Sequence, residues 1–198
     1  MAVSQPDSST MDWELRWAPY DSPTYQLALD QLTAHDIVLE IGAGDLRLAR
    51  QMAERVCKVY ALEINPLTLD QGLASSPPLP ASLIPIPADA QSFDFPRGIT
   101  VGVLLMRHCT HFRLYAEKLR EAGCKRLITN ARWGMNVETV DLQSPRVSYD
   151  HLEIGWYACW CGAAGFKAGP PERLTPETEA AIHEVTNCPN CRRNKLWS

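Results

Sequence analysis

Residues able to do chemistry fall into three groups along this chain. The first is Glu40-x-Gly42-x-Gly44, followed by Glu63, 19 residues beyond Gly44, and by Asp89. Two glycines at i and i+2 let bare backbone approach a ligand, and an acid about 20 residues further on can accept hydrogen bonds from both ribose hydroxyls of a nucleoside. A dinucleotide fingerprint would need a third glycine, where this chain has Arg47. Glu40, just ahead of the turn, would repel a pyrophosphate. A cofactor with a positive centre and an amino group suits the pattern better. The second group is Arg107, His108 and His111. It offers a partner for an anionic substrate or cofactor carboxylate, and two imidazoles that titrate near neutrality and can act as a general base. Cys109, among them, reads as a half-buried structural cysteine rather than a nucleophile. The third group is Cys159-x-Cys161 and Cys188-Pro-Asn-Cys191, two pairs separated by 26 residues. Four thiolates at such spacing suit a tetrahedral, structural Zn²⁺ with no position left open for water activation. His151 and His183 rank as substitute ligands behind every cysteine.

Elements that would position these residues can be read from apolar spacing. Ile37 to Ile41 is a short apolar run, a buried strand delivering the glycine turn. Leu48, Ala49, Met52, Ala53 and Val56 then form one helical stripe, with Asp45 as its expected N-cap. Upstream, Ser22 is the expected N-cap of a helix with Pro23 at its first position and Tyr25, Ala28, Leu29 and Leu32 on one face. Lys58 to Glu63 is a second strand ending in the acid, and Leu83 to Ile86, interrupted by Pro85, is an edge strand. A fourth strand covers Ile99 to Leu105. Phe112 to Ala122 is a helix closed by Gly123, and Arg126 to Ala131 is a fifth strand. Residues 132–149 carry no readable period. Residues 1–11 read as a polar tail, and Trp13 and Trp17 as a surface tryptophan pair.

Three stretches carry a family resemblance. Val38-Leu39-Glu40-Ile41-Gly42-Ala43-Gly44 resembles the first motif of the class I S-adenosylmethionine (SAM) dependent methyltransferases. Together with Val59 to Asn65 and Ala88-Asp89-Ala90-Gln91-Ser92-Phe93-Asp94-Phe95-Pro96, it is similar to the cofactor half of the ribosomal RNA adenine dimethyltransferases, over roughly residues 20–100. The resemblance implies a Rossmann-like, doubly wound α/β sheet of order 3-2-1-4-5-7-6. It implies Glu40, Gly42 and Gly44 at the methionine end of SAM, Glu63 at the ribose, and Asp89 with Ala90 at the adenine. Ile64 and Met106 complete the implied cofactor set. The resemblance stops at the fourth strand, where the family's Asn-x-Pro-Tyr type tetrapeptide is absent and Met106-Arg107-His108-Cys109 stands instead. The acceptor atom is therefore not assigned.

The expected organisation is a tail at 1–11, a SAM-binding domain at 12–150 and a zinc ribbon-like unit at 151–198. The expected function is methyl transfer from SAM, with RNA slightly favoured as acceptor. A small molecule, a protein, or a degenerate scaffold using the zinc unit to recruit a protein partner are the alternatives. A net charge of −4 is unlike strongly basic nucleic-acid binders as a whole, and Arg192, Arg193, Lys195 and Trp197 make only a small basic end. No apolar run reaches the roughly 20 residues of a membrane helix, and no secretion signal opens the chain, so a cytoplasmic protein is expected. Seven cysteines in that setting argue against a disulfide framework.

Overall fold

The computed structural model describes residues 19–75, 77–107, 109–134 and 136–195. The expected tail, the Trp13–Trp17 pair, His108 and Trp197 lie outside the described residues. Chain order is α1 (Ser22–Leu29), β1 (Ile37–Ile41), α2 (Arg47–Ala53), β2 (Lys58–Glu63), α3 (Pro66–Ala74), β3 (Leu83–Pro87), β4 (Val101–Leu104), α4 (Phe112–Glu121), β5 (Arg126–Thr129) and β6 (Glu138–Asp141). These are followed by β7 (Val147–Ser148), β8 (Gly155–Cys159), β9 (Ala164–Lys167), α5 (Pro176–Ala180), β10 (Ile182–Thr186) and α6 (Pro189–Lys195).

Two sheets result. The larger runs β3-β2-β1-β4-β5-β6, with the first five strands parallel and β6 antiparallel to β5. This is a Rossmann-like, doubly wound arrangement that follows the expected order through its first five places. The sixth place, where the expected order has strand 7, is taken by β6, and no strand lies beyond it among the described residues. The chain turns instead into the second sheet, β7-β10-β8-β9. That sheet takes in Val147 and Ser148, just ahead of the expected junction at 150/151.

Side chains alternate across the buried strands, so the large sheet has two cores. Val38, Val59, Val101, Val103 and Ile128 pack with Tyr25, Ala28 and Leu29 of α1 and Ala49 and Met52 of α2. Leu39, Ile41, Leu62, Leu104 and Leu127 pack with Phe112, Tyr115, Ala116 and Leu119 of α4. Gly102 belongs to the second arrangement: a Cβ there would sit 2.5 Å from Leu119, so the helix lies against bare backbone.

Local capping differs from expectation at two helices. Asp21, not Ser22, caps α1, its carboxylate accepting from the Thr24 N–H at 2.9 Å. The residue before α2 is Leu46, left-handed at φ 65°, without a side-chain cap. Asp45 is drawn instead into a two-pronged ion pair with Arg47.

The edge strand β3 places Pro85 and Pro87 at outward-facing positions. Even-numbered residues turn towards β2, as the Ser82 carbonyl accepting from Val59 and the Ala88 N–H donating to Glu63 demonstrate. The remaining odd residue, Leu83, gives its N–H to the Pro80 carbonyl at 3.0 Å.

The second sheet carries the cysteine pairs. Cys159 ends β8, Cys161 lies in the β8–β9 turn, Cys188 follows β10, and Cys191 sits in the first turn of α6. β8 and β9 form the antiparallel hairpin of a ribbon, whereas β10 runs parallel to β8 and the second pair opens a helix. Arg132 joins the two sheets. It donates to Glu138 at 2.8 and 2.7 Å and to Glu184 of β10 at 2.9 and 2.7 Å, with its own side chain 1% exposed. Trp160 inserts from the cysteine turn into the α4 core, edge-on to Phe112. Among the described residues, no helix is long and apolar enough to cross a membrane.

Candidate functional site

A narrow cleft of about 440 Å³, open mouth included, lies at the carboxyl ends of β1, β2 and β3. This is the switch point of the sheet, where β2 and β3 leave β1 on one side and β4 and β5 on the other, the place open α/β sheets bind ligands. Gly42 forms its base at φ 75°, and a Cβ there would meet the Met106 methyl at 3.1 Å. Only glycine holds that conformation without strain and leaves the backbone bare. The N–H groups of Gly42 and Ala43 both donate to the Leu62 carbonyl, at 2.9 and 2.8 Å, tying the turn to the end of β2.

Glu63 is 5% exposed and lines the cleft. One carboxylate oxygen accepts from the Gly44 N–H at 2.7 Å, the other from the Asn65 N–H at 2.8 Å. Each oxygen keeps a second lone pair for an incoming hydroxyl. Ile64 is 41% exposed beside it, an apolar side chain standing at the mouth. Asp89 and Ala90 form the facing wall with Gln91, and Asp89 accepts from the Gln91 N–H at 2.8 Å. Lys118 of α4 donates to the Ala90 and Gln91 carbonyls at 2.8 and 2.9 Å, pinning that wall.

Glu40 does not line this cleft. It points to the α1 face, 5% exposed, and its Oε2 has no hydrogen-bond partner in the protein. Burial pushes its carboxyl well above the usual range, with the charges of Glu63 and Asp45 adding to the effect. A buried, unsatisfied carboxyl beside a glycine turn fits a cationic amino group, the feature the methionine end of SAM presents. The residues present therefore fit that cofactor, with nucleoside contacts in the cleft and the charged end towards Glu40.

Six of the eight expected cofactor residues thus meet at one place: Gly42, Glu63, Ile64, Asp89, Ala90 and Met106. Gly44 touches it through Glu63, and Glu40 stands behind the turn. Of the acceptor-side candidates, Arg107 lies with its guanidinium 4.6 Å over the Tyr20 ring and its backbone N–H on the Tyr20 hydroxyl. His111 occupies the N-cap position of α4, its Nδ1 3.2 Å from the Thr110 hydroxyl. Tyr115, also in the cleft wall, and Tyr20 escape sequence reasoning: Tyr115 reads there only as one residue of the helix expected over Phe112 to Ala122, and Tyr20 belongs to no motif.

The four cysteine sulfurs lie within 4.8 Å of one another, with Cys159–Cys191 and Cys161–Cys188 both at 3.6 Å and Cys188–Cys191 at 3.8 Å. A tetrahedral Zn–S bond of about 2.3 Å requires sulfur separations of about 3.8 Å, so the quartet fits zinc.

No family model and no curated protein matches the chain. Solved structures do. A structure described as precorrin 8W decarboxylase from Methanobacterium thermoautotrophicum is 20% identical at a TM-score of 0.48, over 57% of this chain and 63% of that one. The 23S ribosomal RNA methyltransferase ErmE is 19% identical at 0.47, over 58% and 47%. Phosphoethanolamine N-methyltransferase 1 of Haemonchus contortus, solved with S-adenosylhomocysteine, is 16% identical at 0.44, over 55% and 25%. The chain thus spans less than two thirds of each. The fold assignment itself rests on the strand order above, a Rossmann-like sheet whose sixth strand is antiparallel.

Proposed function

We propose that the chain binds SAM at the carboxyl end of the large sheet and transfers its methyl group. The observation that carries this reading is Glu63, buried at the end of β2 with its carboxylate held by the Gly44 and Asn65 N–H groups. Held this way, the acid is oriented before any ligand arrives and presents its free lone pairs to two ribose hydroxyls. Ile64 and Ala90 flank the base, Asp89 accepts from its amine, and Glu40 balances the ammonium group. Bound there, SAM supplies an activated methyl group. The protein's task is to hold an acceptor in line with it, which requires little further acid–base chemistry.

RNA is the acceptor we favour, supported by the similarity of residues 20–100 to the ribosomal RNA adenine dimethyltransferases. The cysteine quartet is read as a structural zinc site. Its sheet exposes Ile182, Trp156 and Phe166 in one register across three strands, a row that supports a partner-binding role for the unit. Titrating the zinc-loaded protein calorimetrically with SAM and S-adenosylhomocysteine tests the first claim. Saturable micromolar binding is expected, and no binding by folded, metal-loaded protein would refute it. Affinity for RNA that falls steeply with salt tests the acceptor.

A further inference from the structure

Six buried side-chain nitrogen or oxygen atoms among the described residues have no hydrogen-bond partner in the protein, and four of them belong to residues at the carboxyl ends of three neighbouring strands. They are Oε2 of Glu40, Nε of Arg107 and both amide atoms of Asn130. Glu40 is the penultimate residue of β1, Arg107 lies three residues past β4 and Asn130 follows β5, and these three strands are adjacent. Strand alternation puts Glu40 with Val38 and Asn130 with Ile128 on the face of the α1 core. Arg107 reaches that core through Tyr20, which packs there beneath its guanidinium. Asn130 is 0% exposed. A buried amide with neither its donor nor its acceptor satisfied is among the costlier groups a fold can carry, and such groups call for an explanation.

Asn130 does not line the nucleoside cleft, whose wall includes Tyr115 of α4. It stands next to the expected acceptor side, where the tetrapeptide of the resembled family is missing. We propose that Asn130 is the specificity-determining residue for the methyl acceptor, and that it reads a planar edge with a hydrogen-bond donor beside an acceptor. The amino–imine edge of a nucleobase and a carboxamide both have this chemistry, and an asparagine meets either with two parallel bonds. Arg107 flanks the same subsite. The proposal rests on the cofactor reading for the identity of its ligand as an acceptor, but not for the existence of the subsite.

Asn130→Leu and Asn130→Asp separate the possibilities. Leucine repeats the branching of asparagine with nothing to leave unsatisfied, though with two bulkier methyl groups, so the ligand-free N130L protein should melt at least as high as the parent. With S-adenosylhomocysteine saturating, cytidine and N-acetylglutamine amide serve as the two probes, one for each source of the edge. The parent should bind one of them, N130L at least about tenfold more weakly, and N130D more weakly too because it cannot donate. S-adenosylhomocysteine should still bind all three. A lower melting temperature for N130L would make the amide a structural, internally or water-bonded group and overturn the proposal. So would probes that bind the parent and N130L alike, or no binding of either probe to the parent. Failure of S-adenosylhomocysteine to bind any form would instead count against the cofactor reading, while the melting comparison would still decide on Asn130.

Discussion

Replacing Arg132 by alanine should weaken the whole protein, and the size of the effect follows from the ion cluster. The guanidinium makes four charge-assisted bonds of 2.7 to 2.9 Å to Glu138 and Glu184 while 1% exposed. Burial works against its charge, but the bonds to the two carboxylates outweigh that and hold it firmly protonated. Removing one partner of a buried charge pair costs about 3–5 kcal/mol, because the remaining charge is left uncompensated. Here two glutamates would face each other, though both are partly exposed and can rehydrate, so the same range applies. At about 2–4 °C per kcal/mol for a protein of this size, the melting temperature should fall by roughly 6–20 °C. Glu184 lies in β10 only four residues before Cys188, so the variant should also yield its zinc to a chelator faster. Arg132→Lys should recover only part of the loss, since an ammonium cannot engage both carboxylates in parallel pairs. Circular dichroism melts and a colorimetric zinc-release assay measure both effects. A melting temperature within about 2 °C of the parent would refute the reasoning, because that is the response of an exposed ion pair.

Glu63→Gln keeps the size of the side chain but turns an amide N–H towards a backbone donor, losing one charge-assisted bond. Stability should fall by about 1.5–3 kcal/mol, and SAM affinity by roughly ten- to a hundredfold, as calorimetry of the variant would reveal. Glu40 carries a sign that can be checked. Its folded carboxyl titrates well above the unfolded value, so its contribution is fully present below about pH 4.3 and is lost as pH rises through the raised folded value. Denaturant unfolding of ligand-free Glu40→Gln should lack that decline, and an identical pH profile for parent and variant would contradict the assignment. Metal analysis should find one zinc per chain, and Cys188→Ser should lower both zinc content and melting temperature. Full zinc retention by that variant would remove Cys188 from the ligand set.

Much of the large sheet was legible because β1, β2, β4 and β5 are apolar on both faces, and runs such as Val-Leu-Glu-Ile and Val-Tyr-Ala-Leu leave few alternatives. The cleft was legible for a similar reason, since its glycines and acids sit at fixed places relative to those strands. β6 was not. Only Val140 of Glu138-Thr139-Val140-Asp141 is buried, and an edge strand of that composition has no period to detect. Both capping expectations failed through competition. Asp21 stands one residue earlier than Ser22 with a stronger acceptor, and Asp45 has a guanidinium two residues away. The cysteine pairs announced themselves as local motifs, whereas the parallel course of β10 beside β8 pairs Ile182 with Trp156 and leaves no local signal. Asn130 shows the limit most plainly. In the sequence it is one residue of the expected fifth strand, Arg126 to Ala131, and only three-dimensional packing reveals that it is enclosed with nothing to bond.

The free edge of β3 has a consequence for how this chain behaves in a crowd. Exposed strands invite other chains to add to them, the first step of sheet-to-sheet association. Along β3 the outward positions are 83, 85 and 87: Leu83 has already spent its N–H on Pro80, and the two prolines never had one. A stray strand arriving there would find carbonyls but no donors, and half of every ladder it tried to build would be missing. The same prolines that interrupt the reading of this strand in the sequence close the sheet to newcomers. Pro85→Val, by restoring a donor on that edge, should make the protein associate more than the parent as its concentration rises, which light scattering of the two would detect.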